Sequence, residues 1–124
     1  MKAAIIVFSD PKAGSDESLG RLFNALVTAH DFKQAGNEVT ILFQGAGTRW
    51  AGEVIKPEHP AHRLYQSVAD KVAGVSCGCA DVFGATETAE KSGFTLLKHN
   101  ALPGTPELPS VPRLVSEGFT VFTF

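Results

Sequence analysis

Residues 3–8 open the chain as an unbroken apolar run from Ala3 to Phe8, stopped at once by Ser9, Asp10 and Pro11. A run of this kind, rich in β-branched side chains, predicts a strand buried on both faces. Comparable runs predict strands at 38–43 and 71–76, a short one at 94–97 and a last at 119–124. Between the first two, Leu19, Leu22, Phe23, Leu26, Val27 and His30 recur at three- and four-residue spacing. That period predicts an amphipathic helix from Asp16 to near Gly36. Further helices are expected at 61–70, at 80–91 with Gly84 as a weak point, and at 111–117. Residues 9–15 and the mixed, flexible segment 45–50 read as loops. The polar stretch 51–60, punctuated by Pro57 and Pro60, holds at most a short helical turn, and the Pro- and Gly-rich 99–109 is loop. Strands alternating with helices mean βαβ units. The expectation is an α/β protein: a three-layer α/β/α sandwich around a mostly parallel five-stranded sheet. No linker or internal repeat divides the chain, so residues 1–124 read as one domain.

In such a sheet the loops after the strands gather on one edge, where ligands and reactive groups collect. Here those loops carry Ser9, Asp10 and Lys12, then Gly45, Arg49 and Trp50, then Cys77-Gly78-Cys79, then Lys98, His99 and Asn100. Cys77 and Cys79 are the only cysteines in 124 residues. They stand directly between an apolar strand and a helix expected from Ala80. A thiol at that corner meets the positive end of a helix, which favours the nucleophilic thiolate. Cys79, adjacent to Ala80, is the first candidate and Cys77 the second. Arg49 and Lys12 are candidates to stabilise the thiolate. Arg49 and Trp50 either line a thiol pocket or pack at an interface, and the sequence leaves both readings open.

Composition narrows the field. With a net charge of −2 and no basic stripe, neither nucleic acid nor an anionic membrane is an expected partner. The opening apolar run is too short for a signal-peptide core, and no stretch reaches the length of a membrane span. The expected location is the cytoplasm, where thiols stay reduced. No cofactor or metal is expected. Asp10, Asp16 and Glu17 would repel a phosphate held by the first loop. Gly45-Ala46-Gly47 falls short of a dinucleotide fingerprint. His59 and His62, with cysteines one residue apart elsewhere, do not form a zinc pattern and read as partly exposed residues at a helix entry. Neither a Gly-x-Ser-x-Gly elbow nor a His-Glu-x-x-His helix occurs, so a hydrolase has no support.

The stretch Val75-Ser76-Cys77-Gly78-Cys79-Ala80-Asp81-Val82-Phe83-Gly84-Ala85 resembles the DsrE/DsrF-like family. The opening at Ile5 to Pro11, the segment Gly36 to Gly47 and the ending Leu114 to Phe124 are similar to that family's first strand and loop, second strand and glycine loop, and last helix and strand. The resemblance implies a flavodoxin-like or DsrE-like sandwich that forms homo-oligomers. It also implies a cysteine at the strand-to-helix corner that accepts persulfide sulfur and relays it to a carrier protein. By position that cysteine is Cys79, with Cys77 second and able to resolve the persulfide through a transient, strained Cys77–Cys79 disulfide. Such a protein is at most a sulfurtransferase-type carrier. The alternative is a non-catalytic module that binds a small ligand or a protein at the same edge.

Overall fold

In the computed structural model, which describes residues 1–103 and 107–124, the opening apolar run is strand β1 (Lys2–Val7), with Ala3 to Val7 fully buried. Helix α1 (Asp16–Gln34) follows after a 3-10 turn at Pro11–Ala13. Ser15 caps α1, its Oγ accepting the Ser18 amide, and Asp16 and Glu17 sit in the first turn, where the helix dipole favours acids. Its buried stripe is Ser18, Leu22, Ala25, Leu26 and Ala29. Of the predicted face, Leu22 and Leu26 lie in that stripe, Leu19 and Phe23 pack against the core partly buried, and Val27 is exposed. The face turned onto the sheet is therefore centred on the small residues beside the leucines. The remaining elements are β2 (Glu38–Phe43), α2 (Ala51–Val54), α3 (His62–Val68), β3 (Val72–Ser76), α4 (Cys77–Val82), α5 (Thr86–Lys91), β4 (Leu96–Leu97), β5 (Asn100–Ala101), β6 (Glu107–Leu108), α6 (Val111–Ser116) and β7 (Thr120–Thr123).

Among the described residues, five strands form one all-parallel sheet in the order β4-β3-β2-β1-β7. Stepping from β1 to β4 always moves the same way across the sheet. Right-handed crossovers therefore put α1 to α5 on one face, and the return from β4 to β7 puts α6 on the other. The two cores follow this division. Ile5, Val7, Ile41, Phe43 and Val75 pack against Leu22, Leu26, Val54, Val68, Ala80 and Ala89. On the opposite face Ala4, Ile6, Leu42 and Leu97 pack against Leu114 of α6. The larger core also holds the Phe43 and Phe94 rings edge to face, 6.1 Å apart. The last residue, Phe124, clamps the loop after β1: its amide donates to the Ile6 carbonyl, and its own carbonyl accepts from Phe8 and Ser9.

Four expectations change. Residues 45–50 are not a flexible loop but a six-residue 3-10 helix continuing into α2, with Thr48 and Trp50 buried. Gly47 makes this compact form fit, since a Cβ there would stand 2.2 Å from the Val7 carbonyl oxygen. The helix expected over 80–91 is two helices. It begins at Cys77 because Ser76 caps it, and it breaks at Gly84, whose φ of 68° ends α4. The expected loop 99–109 carries the short antiparallel pair β5–β6, while its residues 104–106 lie outside the described residues. The fourth strand shrinks to two residues at the sheet edge.

Candidate functional site

The cysteine corner lies where neighbouring connections part. β3 leads into α4 on one face, and its neighbour β4 leads through β5 and β6 to α6 on the other. In open α/β sheets the crevice at such a switch point, beyond the carboxyl ends of the strands, is where ligands bind. Here β6 packs against α4 across that boundary. Ser76 is fully buried, and its Oγ accepts the Cys79 amide at 3.4 Å. Both thiols are free; Cys77 is buried and Cys79 half-buried. Because α4 starts at Cys77, both cysteines stand within its first turn. The adjacency of Cys79 to the helix start therefore no longer separates them, and exposure does. Two residues apart on a helix at 3.6 residues per turn project roughly 200° apart. The thiols thus leave the helix in opposite directions, and a Cys77–Cys79 disulfide requires the first turn of α4 to unwind.

Ser9, Asp10, Arg49 and Trp50, from the loops after β1 and β2, are drawn into one network. Asp10 caps the 3-10 turn by accepting the Lys12 amide at 2.9 Å, and its carboxylate receives Arg49 Nη1 at 3.1 and 3.2 Å. The Asp10 carbonyl accepts the hydroxyl of the buried Ser18. Arg49 Nε donates to the Phe83 carbonyl at 3.2 Å, just past the end of α4, and its guanidinium lies 5.4 Å from the Phe83 ring centre. The indole of Trp50 donates to the Ser9 carbonyl at 2.8 Å. Gly45 opens the 3-10 helix at φ 57°, and its carbonyl accepts from Thr48 Oγ1. Arg49 is thus a strut joining three segments, with its Nε and Nη1 donors committed to Asp10 and Phe83 rather than to a thiolate. Lys12 is exposed at the rim, and its ammonium has no ion-pair partner among the described residues.

Some participants were not legible as such in the sequence. Phe83 enters through its backbone carbonyl. His59 is half-buried with its ring edge-on to Trp50 at 5.9 Å, and burial lowers its pKa below the ordinary value despite nearby Glu53. His62 donates its Nδ1 proton to the Val54 carbonyl at 2.7 Å. Gln44, at the carboxyl end of β2, is buried with its Oε1 unpartnered. A polar residue closing an apolar strand was the one signal for it.

No family model matches the chain, and no solved structure matches it. Over 87 residues it is 28% identical to the uncharacterized protein MJ0733 of Methanocaldococcus jannaschii, an alignment covering 70% of each chain. Among the described residues, no helix is long and apolar enough to cross a membrane.

Proposed function

We propose that the protein is a sulfur carrier of the DsrE-like kind, with Cys79 as the acceptor thiol. The observation that carries this reading is a free, half-exposed cysteine at the point where the β3 and β4 connections part. The Cys79 thiolate attacks the outer sulfur of a donor persulfide. The donor's S–S bond breaks, its thiolate leaves, and Cys79 holds the sulfur as Cys-S-S⁻. One S–S bond forms as one breaks, so no oxidant or reductant is consumed. A protein acceptor then removes the sulfur by the same exchange. Cys77, buried and pointing away, supports the packing of the corner and does not resolve the persulfide. Self-association in the cytoplasm belongs to the same reading. β7 stands at the sheet edge, where a partner strand could add, and α6 exposes the apolar side chains of Val111 and Val115.

Exposure to polysulfide followed by intact-mass spectrometry tests the reading. One sulfur is expected, mapped to Cys79, with loading abolished in Cys79→Ser and largely kept in Cys77→Ser. Iodoacetamide is expected to alkylate Cys79 faster than Cys77. No adduct under conditions that load an ordinary exposed thiol would overturn the carrier reading.

A further inference from the structure

A cleft of about 410 Å³ lies between the 3-10 turn, the first turn of α1, and Arg49, Trp50, Glu53 and His59. A second hollow of about 300 Å³ shares Lys12, Arg49 and Glu53 with it and runs on towards Lys56 and Thr88. Neither cysteine lines either hollow. The walls are held in place beforehand. Asp10 and Phe83 fix Arg49, the Ser9 carbonyl fixes Trp50, and Ser18 ties α1 to the Asp10 carbonyl.

The charges here are mixed and balanced. Lys12, Arg49 and Lys56 are positive; Asp16, Glu53 and the Arg49 partner Asp10 are negative. Such a lining offers a polyphosphate no net attraction and suits a molecule that carries both signs. The donors still open are the Lys12 ammonium and the Nη2 group of Arg49, which neither Asp10 nor Phe83 occupies. His59 adds a third. Its Nδ1 accepts the Ala61 amide at 3.1 Å, so the neutral ring carries its proton on Nε2. For acceptance, Glu53 uses one oxygen on Lys56 at 3.0 Å and keeps the other. Leu19 and Trp50 supply the apolar wall. The volume lies within the range of small-molecule sites.

We propose that this cleft binds a small free α-amino acid, with its carboxylate against Lys12 and Arg49 and its ammonium against Glu53. The assignment does not rest on the sulfur chemistry of Cys79. Trp50 is the single tryptophan, so its emission reports on the cleft directly. The full chain is titrated with each standard L-amino acid to ~10 mM, a range that captures weak binding. At least one is expected to give a saturable emission change. Its N-acetyl and amide forms, each lacking one charge, are expected to bind at least ~10-fold more weakly. Lys12→Ala and Glu53→Gln are expected to weaken binding similarly with unchanged circular dichroism, while Cys79→Ser binds as the parent does. The proposal is overturned if no amino acid gives a saturable change, if the single-charge derivatives bind equally well, or if both cleft variants bind normally.

Discussion

Arg49→Met removes the guanidinium while keeping an apolar stem of similar length over the Phe83 ring. Three contacts are lost: two to the Asp10 carboxylate and one to the Phe83 carbonyl. A hydrogen bond to a charged group contributes about 1.5–3 kcal/mol when buried, but a fully exposed ion pair only about 0.2–1 kcal/mol. The Arg49 and Asp10 side chains are 24% and 31% exposed, which places the pair between these limits, at about 1 kcal/mol. The Phe83 bond adds about 1 kcal/mol, and leaving Asp10 half-buried without its cation adds some tenths more. The expected loss is about 2–3 kcal/mol, or about 8–12 °C in Tm for a chain of this size. Urea unfolding at constant m-value measures it. Asp10→Asn keeps an oxygen for the Lys12 amide, so a double-mutant cycle isolates the charge pair, with an expected coupling of about 1 kcal/mol. A loss below about 0.5 kcal/mol with no coupling would show Arg49 to be an ordinary surface cation and refute the strut.

Gly47→Ala drives a methyl group into the Val7 carbonyl, where backbone must move; it is expected to destabilise by about 3 kcal/mol or more, checked by the same urea assay. His59, with its pKa lowered chiefly by burial, binds a proton more readily unfolded than folded. Its contribution to stability is therefore present above its ordinary value near 6.5 and lost as pH falls through the lower folded value. His59→Asn should flatten the pH dependence of Tm as pH falls below the ordinary histidine value near 6.5, and an unchanged slope would count against it.

The central sheet was legible because its strands are short runs dominated by apolar and β-branched residues, and β2 falls on residues 38–43 as the pattern predicts. The short turn of α2 falls within the stretch where one was expected, but segment 45–50 was not legible, because Gly45, Ala46 and Gly47 show no periodicity. Tertiary contacts hold it helical, notably the approach of Gly47 to Val7 and the bond from Trp50 to Ser9. Ser76 hid the start of α4 by serving both as the last residue of β3 and as the cap. At the site, the sequence brought the right loops to one edge, as the bonded set of Ser9, Asp10, Arg49 and Trp50 shows. It could not show that Arg49 would meet Asp10 from 39 positions away, or that the donors would turn from the thiols to a carboxylate and a carbonyl. Pairings of that kind depend on where the sheet places its loops, and local pattern carries no record of them.

The clamp made by Phe124 bears on the order in which the chain can fold. β1 pairs on one side with β2, its near neighbour in sequence, and on the other with β7, almost the whole chain away. The hydrogen bonds that fix the Phe8–Ser9 backbone are thus among the most non-local in the molecule. Contacts of such separation carry the largest loop-closure cost and slow folding. During synthesis, the first strand emerges early and waits with one edge unpaired until the final strand arrives. The network around Arg49 would therefore be completed late, and a nascent or C-terminally clipped chain would retain much of its α1–β2–β3 packing while lacking an ordered first loop.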